Sequence, residues 1–206
     1  MKFPIEVHGS AAEYWARYSE AAAHAVRNVD TAEMERAAEF LYDLFCAGRT
    51  LYVCGNGGSA AISNHLLCDF AKGIQTDTPL KPRVVSLASH LELITAIGND
   101  FEFAEIFSYQ LRTFASKGDA LMTISASGNS ENIVRAVEWA KQNGVGTIAL
   151  TGFDGGRSAE LADINLHVPA RNYGIVEDVH QSMMHVFAQY LRMRRMDPAL
   201  VEERHF

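Results

Sequence analysis

Hydrophobic residues follow two different spacings along the chain, and the spacing separates the predicted strands from the predicted helices. Five short, mostly apolar runs are typical of buried strands: Leu51–Cys54, Arg83–Leu87, Ala120–Ile124, Gly146–Leu150 and Ile164–Val168. Between them, apolar residues recur every third or fourth position, which indicates amphipathic helices. Strands that alternate with helices of this length predict an α/β sandwich with a mainly parallel sheet.

The helical spacing predicts seven segments: Ser10–Val29, a helix from Asp30 or Thr31 to Gly48, Ala60–Ala71, Leu91–Ile97, Phe101–Phe114, Glu131–Asn143 and Val176–Met193. A break is expected at Gly98-Asn99-Asp100. The first two helices precede the first strand and have no sheet face assigned to them. They either cover the sheet or pair with helices of another subunit, and the pattern leaves both open.

The 206 residues are expected to form one domain, because the chain shows no internal repeat, low-complexity tract or linker. Only the tail, Asp197–Phe206, is predicted to be loose. The first residues lack the apolar core of a signal peptide, and no run reaches the roughly 18 apolar residues of a membrane span. We therefore expect a cytoplasmic protein that does not cross a membrane.

Composition narrows the possible partners. With 48% hydrophobic and 21% charged residues the chain is ordinary for a globular protein, and its net charge of −7 argues against a nucleic-acid surface. An anionic small molecule stays possible, because local donors can bind phosphate inside an acidic protein. Cys46, Cys54 and Cys68 lie in apolar patterns without paired spacing, so we expect buried free thiols.

The first candidate site is the turn Gly55–Ser59, which joins a predicted strand to a predicted helix. Glycines permit a tight turn there, and Ser59 is predicted to be the N-cap of the helix. Unpaired backbone N–H groups at such a junction can bind an anion or a polyol. The turn lacks the glycine spacing of a dinucleotide-binding loop and the Gly-Lys-Ser/Thr ending of an ATP-binding loop, so a nucleotide is not favoured.

A second small-residue loop, Ser125–Ser130, offers three hydroxyl groups and Asn129 at another junction of strand and helix. Hydroxyl donors and N-terminal helix amides together can bind a phosphate monoester. Alternatively, Ser130 is only an N-cap, and Ser125 and Ser127 are ordinary turn residues. The presence of both loops favours phosphate, because ligands of open α/β sheets collect at the carboxyl ends of the strands.

Two pairs, each of a histidine and an acidic residue, are candidates for proton transfer or metal binding. His65 and Asp69 are four residues apart and share one helix face, as do Glu177 and His185 two turns apart on the last predicted helix. The first pair can also be an ordinary surface pair. Spacing does not decide between His180 and His185, and Gln181 lies beside them. Two histidines and two carboxylates would suit zinc or another divalent ion.

Asn99-Asp100 is a further candidate, either for binding a sugar hydroxyl or as the N-cap of the helix that is predicted to start at Phe101. The two roles stay open at this point.

Taken in order, these motifs resemble the sugar isomerase (SIS) domain, and more narrowly the phosphoheptose isomerase family. The resemblance covers about Ser10 to Leu191 and rests on five motifs: Cys54–Ser59 with His65, Ile97–Asp100, Ser125–Ser130, Leu150–Gly156, and the helix that carries His185. It implies a three-layer sandwich and interconversion of sedoheptulose 7-phosphate and a glycero-manno-heptose 7-phosphate. It also implies a homotetramer built through the N-terminal helices, active sites between subunits, and zinc.

The resemblance assigns roles by position in this sequence. Substrate contacts fall on Asn56, Gly57, Gly58, Ser59, Asn99, Asp100 and Glu177, and the phosphate-binding positions are Ser125, Ala126, Ser127 and Ser130. Asp69 is the expected base with Glu177 as its rival, and His185, rather than His180, is the expected acid. The metal positions are His65, Asp69, Glu177 and His185.

Four positions depart from the family pattern. Asp69 stands in place of a glutamate, Glu177 in place of a glutamine, Ala126 in place of a threonine, and Gly174 where an aspartate is common. These departures leave three alternatives open: an isomerase of a different sugar phosphate, a non-catalytic SIS protein of the DnaA-associating type, and a sugar-phosphate-sensing regulator. The two histidines favour an enzyme, and the missing DNA-binding segment disfavours the regulator.

Overall fold

One parallel sheet of five strands organises the molecule. A computed structural model describes all 206 residues, and the strand order is β2-β1-β3-β4-β5 with every neighbouring pair parallel. The strands are β1 (Thr50–Gly55), β2 (Arg83–Ser86), β3 (Ala120–Ser125), β4 (Gly146–Thr151) and β5 (Ile164–His167). The predicted α/β class and the five strands are confirmed.

Eight helices connect and cover these strands: α1 (Ala11–Arg27), α2 (Thr31–Cys46), α3 (Gly58–Cys68), α4 (Leu91–Asp100), α5 (Ser108–Phe114), α6 (Glu131–Gln142), α7 (Gly156–Leu161) and α8 (Tyr173–Arg195). Helix α3 continues as a π-helical segment, Asp69–Ile74. The regular helix predicted to run to Ala71 therefore changes its hydrogen bonding at Asp69, and such π segments are frequent at functional sites.

The sheet divides the core into two layers of packing. Leu51 and Val53 of β1 point into a cluster of 32 buried residues shared with α1, α2, α3 and α8. Tyr52 and Cys54 point the other way, into a cluster of 13 buried residues shared with α4, α5 and α6. This alternation along one strand gives the three-layer sandwich that the resemblance implied.

The two opening helices differ in how they are used. Helix α2 buries five residues against the larger core, so it covers the sheet. Helix α1 buries only Ala21 and Ala25 and leaves Trp15 69% exposed. It is tied to α8 by the Tyr18 hydroxyl, which donates to Asp178 Oδ2 at 2.5 Å. The outer face of α1 is therefore open to solvent in the single chain.

The predicted break at Gly98-Asn99-Asp100 is wrong, because α4 runs without interruption from Leu91 to Asp100. Burial of Ile97 holds the last turn in place, and the Phe101 N–H closes it on the Ile97 carbonyl at 3.0 Å. Such tertiary contacts override the weak helix propensity of glycine and asparagine.

The single helix predicted over Phe101–Phe114 is also wrong. A 3₁₀ turn, Phe103–Glu105, precedes α5, and Glu102 has an extended backbone with a φ of −156°. The carboxylate of Glu102 pairs with Arg135 of α6. Helix α7, which has only six residues, was not predicted.

Two smaller expectations need correction. Helix α3 starts at Gly58 with Gly57 as its cap, so Ser59 lies inside the first turn instead of capping it. Cys46 and Cys68 are exposed, and only Cys54 is buried, where burial raises the pKa of its thiol. All three cysteines are free, as predicted.

The C-terminal tail is attached to the body of the molecule instead of being loose. The guanidinium of Arg192 donates to the His205 carbonyl at 3.0 Å and lies 5.0 Å from the centre of the Phe206 ring. Arg204 donates to Asp77 at 3.1 Å. None of the helices is long and apolar enough to span a bilayer.

Candidate active site

The first loop places backbone donors at the carboxyl end of β1. Gly57 has a φ of +55°, a backbone conformation that favours glycine, and this turn lets α3 begin at Gly58. Gly57 carries no side chain that can cap the helix, so the first N–H groups of α3 have no side-chain partner. Such groups can hold an anionic or polar ligand.

Asn56, a predicted substrate contact, is engaged in a structural pair. Its amide donates to Asn132 Oδ1 and accepts from Asn132 Nδ2, both at 2.9 Å. Asn132 is buried in the first turn of α6, so this pair joins the first loop to the helix that follows the second loop. No signal in the sequence singled out Asn132, because it is 76 residues away.

In the second loop the three serine hydroxyls keep their O–H groups free to donate to a ligand. Ser125 Oγ and Ser127 Oγ accept backbone N–H groups within the loop, at 3.2 and 3.3 Å, as turn residues do. Ser130 occupies the N-cap position of α6, but its hydroxyl makes no capping bond. Its hydroxyl and the first amides of α6 are therefore available, which favours an anion over a purely structural loop.

The loop is shaped by a close contact with the turn after β4. Gly128 has a φ of +63°, and a Cβ there would overlap the Gly155 carbonyl oxygen. The Gly152 N–H donates to the Ala126 carbonyl at 3.0 Å. Two strand-end loops thus pack on one another, and the backbone of the second loop is fixed from behind.

Farther along α3, three of the predicted catalytic or metal-binding residues converge. Asp69 Oδ2 lies 2.8 Å from His185 Nδ1, and Asp69 Oδ1 lies 3.3 Å from His65 Nε2. The ligand atoms of the three side chains all lie within 4.8 Å of one another. Asp69 and His185 are separated by 116 residues, so the fold alone brings them together. We call these three residues the His–Asp–His cluster.

The hydrogen bonds around His185 indicate how its protons are arranged. A carboxylate only accepts, so Nδ1 donates to Asp69, and Nε2 faces the Gln181 amide nitrogen at 3.0 Å. Gln181 therefore donates to Nε2 and holds the ring towards the carboxylate. The ring lies partly exposed, as does the Asp69 carboxylate, so both can reach a ligand.

Glu177 lies on the same helix as His185 but outside the His–Asp–His cluster. Its carboxylate packs against Gly58, where an added Cβ would overlap the Glu177 oxygens. Burial, with a smaller contribution from the negative charge of Asp178, raises the pKa of Glu177. The structure thus places Glu177 beside the first loop.

The other sequence candidates lie elsewhere. His180 is completely buried and does not face the cluster. Asn99 and Asp100 are exposed at the end of α4, and the Asn99 amide donates to Asp100 Oδ1 at 2.8 Å. Neither can be an N-cap for a helix at Phe101, because no helix starts there.

A cavity of about 570 Å³ opens beside the cluster on the side away from the loops. His65, Asp69 and His185 form one wall, and the opposite wall comes from Lys72, Arg192 and the tail residues His205 and Phe206. The sequence did not suggest that the tail belongs to this region.

Comparison with known proteins places this site in a family. The family sequence model of the SIS domain matches residues 14–152 of this chain. A phosphoheptose isomerase of Nitratidesulfovibrio vulgaris is 42% identical over 139 residues, which cover 68% of this chain and 66% of the relative. A phosphoheptose isomerase of Colwellia psychrerythraea is 35% identical over 161 residues, which cover 77% of this chain and 82% of the relative. The chain belongs to the phosphoheptose isomerase family of SIS domain proteins.

The structures agree with this assignment. The phosphoheptose isomerase of Neisseria gonorrhoeae has a TM-score of 0.79 and 32% identity, with coverage of 87% of this chain and 95% of that one. Within a phosphoheptose isomerase fold, the departure at Gly174 has a local explanation. A Cβ at Gly174 would lie 3.0 Å from the Tyr18 hydroxyl, so Tyr18 of α1 takes up the room of a longer side chain.

Proposed function

We propose that this aldose–ketose isomerase converts sedoheptulose 7-phosphate into D-glycero-D-manno-heptose 7-phosphate through an enediol. The observation that supports this most is the convergence of three side chains: His65 and Asp69, at the end of the helix that begins at the first loop, and His185 of α8. Gly58 and His65 are seven residues apart, which is roughly 10 Å of helix. An extended sugar phosphate can therefore place its phosphate at the loops and its reacting carbons at the cluster.

In this proposal the phosphate is held by neutral donors. The hydroxyls of Ser125, Ser127 and Ser130 and the amide of Ala126 surround it, and the N–H groups of Gly57, Gly58 and Ser59 contact the sugar. Asn56 contributes mainly by fixing the first loop, since its amide is paired with Asn132. Asn99 and Asp100 remain predicted contacts of the sugar hydroxyls.

The reaction moves one proton between adjacent carbons. A base removes the proton from C1 of the ketose, and the C2 carbonyl accepts a proton on oxygen to give the cis-enediol. The base then returns a proton to C2, while the C1 hydroxyl loses its proton and becomes the aldehyde. Asp69 is the proposed base, and His185 is the proposed acid that carries protons between the two oxygens. The hydrogen bond of 2.8 Å between them aligns both groups on one substrate face.

The His–Asp–His cluster also fits a divalent ion, which we propose to be zinc. Two imidazoles and a carboxylate with ligand atoms within 4.8 Å of one another match the donors that zinc prefers. When bound, the ion would supply polarisation of the carbonyl. Glu177, the fourth predicted ligand, lies beside Gly58 and is not among the three side chains whose ligand atoms converge.

Asp69 and Glu177 compete for the role of the base. A carboxylate that binds a metal is a weaker base, whereas burial raises the pKa of Glu177 and so makes its carboxylate a stronger base. Comparison of Asp69→Asn with Glu177→Gln separates the two. If Asp69 is the base, only the first variant loses proton exchange at C1 when metal content is held equal; the reverse result assigns the base to Glu177.

We further propose a homotetramer with active sites between subunits, supported by the exposed outer face of α1. Trp15 is 69% exposed there and Val26 is 52% exposed, although both lie on a helix next to the core. Light scattering of the purified protein is expected to give four times the mass of the chain. A monomer at micromolar concentration would contradict this part of the proposal.

The function is tested by incubating the purified protein with sedoheptulose 7-phosphate, with and without a chelator, and following the aldose product by NMR. We expect conversion that the chelator suppresses and that added zinc restores. Conversion of a different sugar phosphate in a panel would identify another substrate. No conversion of any member of the panel would favour a non-catalytic SIS protein and would contradict the proposal.

A further inference from the structure

His180 is a completely buried histidine that the proposed reaction does not use. It lies on α8, three residues after Glu177 and five before His185. Its Nε2 atom is 3.1 Å from the Thr151 carbonyl oxygen at the end of β4, and its Nδ1 atom is buried with no hydrogen-bond partner. Since a carbonyl oxygen only accepts, Nε2 carries the proton.

The ring is therefore a neutral imidazole that donates one hydrogen bond to the backbone. Burial lowers the pKa of His180 to about 4, against the smaller opposing effect of the bond to Thr151. A buried polar group without a partner is costly, so the free Nδ1 atom indicates that this position is not optimised for stability alone.

The segment that accepts this bond touches both halves of the site. Thr151 is followed by Gly152, whose N–H donates to the Ala126 carbonyl of the second loop at 3.0 Å. On its other side, a Cβ at Gly152 would lie 2.6 Å from the Val176 methyl groups of α8. Thr151 and Gly152 thus form a junction between the phosphate-binding loop and the helix that carries Glu177 and His185.

We infer that His180 is a positioning residue that holds α8, and with it Glu177 and His185, at a fixed place relative to the phosphate-binding loop. The inference rests on the proposed function, in which the loop holds one end of the substrate and α8 acts on the other. A displacement of about 1 Å between the two ends can cost on the order of a hundredfold in rate. One hydrogen bond at the junction of loop and helix is well placed to prevent such a displacement.

Two substitutions separate positioning from filling of the core. His180→Leu fills most of the space but cannot donate, whereas His180→Gln retains an N–H donor at a similar reach. His167→Leu is the matched control, because His167 Nδ1 also contacts Thr151, at its hydroxyl and 3.1 Å away, but from β5 instead of α8.

The first measurement compares turnover with binding at a temperature where circular dichroism shows every variant folded. For His180→Leu we expect kcat to fall by about 10- to 100-fold, while the Kd of inorganic phosphate changes by less than about twofold. His180→Gln and His167→Leu should keep kcat within about threefold of the wild type. A folded His180→Leu variant with the wild-type kcat, or a His180→Gln variant as impaired as His180→Leu, would overturn the inference.

The second measurement does not depend on turnover. Long-range ¹H–¹⁵N NMR at pH 7 should show His180 as the neutral tautomer protonated at Nε2, and hydrogen exchange at the Gly152 amide should be about tenfold faster or more in His180→Leu. A protonated ring, or unchanged exchange at Gly152, would refute the positioning role. A wild-type protein that converts no sugar phosphate would refute the proposed function alone, and these two results would still decide the role of His180.

Discussion

Asp69 is the residue on which the site depends, because its two carboxylate oxygens face two different histidines. Oδ1 lies 3.3 Å from His65 and Oδ2 lies 2.8 Å from His185. Aspartate is one methylene shorter than the glutamate typical of the family, and the π-helical segment begins at this residue. Because a π-helical turn is wider than an α-helical one, it can shift the backbone of Asp69 and so change where the shorter carboxylate lies.

Asp69→Asn should lower kcat by at least about a hundredfold, because the amide keeps the shape of the carboxylate but cannot accept a proton. Its thermal midpoint should stay close to that of the wild type, since Asp69 is partly exposed. The measurement is steady-state kinetics next to thermal unfolding, with Asp43→Asn on the exposed surface of α2 as the control. A wild-type kcat in Asp69→Asn would show that Asp69 is not the base of the reaction.

Stability at mildly acid pH should depend on His180. Its pKa of about 4 in the folded state lies below the ordinary value of 6.5, so the unfolded chain binds a proton first as the pH falls. The neutral His180 ring therefore contributes fully to the free energy of unfolding above pH 6.5. Between pH 6.5 and 4 the free energy of unfolding falls by up to roughly 3 kcal/mol because of this one group. Burial lowers the pKa of the neighbouring His167 as well, which adds a loss in the same direction.

Urea unfolding at pH 7 and pH 4.5 tests this expectation. The free energy of unfolding of His180→Gln should fall less between the two pH values than that of the wild type, because the titration of His180 is removed while that of His167 and of carboxyl groups such as Glu105 remains. Equal losses in the two proteins would show that His180 is not held neutral in the folded state.

At the scale of elements, the second loop depends on a glycine that a sequence motif alone would rank with many others. Gly128 has a positive φ, and the carbonyl oxygen of Gly155 occupies the place that a Cβ of residue 128 would take. Gly48, at the end of α2, has a similar φ of +67° but nothing within 4 Å of a Cβ. Alanine substitutions at Gly48 and Gly128 therefore distinguish the cost of backbone strain alone from the added cost of disturbing the contact between the two loops.

Gly48→Ala should destabilise the fold by only about 1 kcal/mol, the cost of a left-handed conformation for alanine. Gly128→Ala should cost at least about 2 kcal/mol more and should weaken phosphate binding, because the loop must move away from Gly155. Urea unfolding and phosphate titration measure both effects. Equal destabilisation by the two substitutions, with phosphate affinity retained, would contradict the described packing of the loops.

The elements that the sequence predicted well are those whose signal is local. The strands are short apolar runs, and burial on both faces of a parallel sheet explains why they could be read directly. The break at Gly98 was predicted from propensities worth about 1 kcal/mol, which the burial of Ile97 outweighs. The pairing of Asn56 with Asn132 could not be foreseen, because it depends on how two distant loops meet.

The sequence predicted the candidate site only in part. The spacing of His65 and Asp69 identified one pair, but the choice of His185 over His180 came from resemblance, and the structure supplies the physical reason. His180 is buried against Thr151, whereas His185 faces Asp69. Glu177 lies outside the cluster and against Gly58, a contact between two distant segments that spacing along one helix cannot reveal.

At the scale of the whole molecule, the C-terminal end of the chain is brought beside the site. Arg192 is the centre of the C-terminal attachment: it donates to the Thr76 carbonyl, to Asp77 and to the His205 carbonyl, at 3.0 to 3.2 Å. His205 and Phe206 then line the cavity beside the cluster. The last residues of the chain, which follow the short 3₁₀ helix Pro198–Leu200, are thus part of the surroundings of the site.

Arg192→Met should release the tail, because the apolar stem remains but the guanidinium contacts are lost. We expect hydrogen exchange over residues 197–206 to become faster by about tenfold or more. Arg195→Met is the control, since Arg195 contacts only the Tyr42 hydroxyl, at 3.3 Å. Mass spectrometry measures the exchange, and equal protection in the two variants would show that Arg192 does not hold the tail.

The most direct test of the whole account is the fate of solvent hydrogen during turnover in D₂O. With sedoheptulose 7-phosphate as substrate, we expect an aldose 7-phosphate that carries deuterium at C2, because the proton on the partly exposed Asp69 exchanges with solvent before it is returned. The wild type should form this product and Asp69→Asn should not. Labelled aldose formed by Asp69→Asn at the wild-type rate would contradict the assignment of Asp69 as the base, and aldose without deuterium at C2 would contradict exchange of the transferred proton with solvent. Failure of the metal-loaded wild type to form any aldose would contradict the account as a whole.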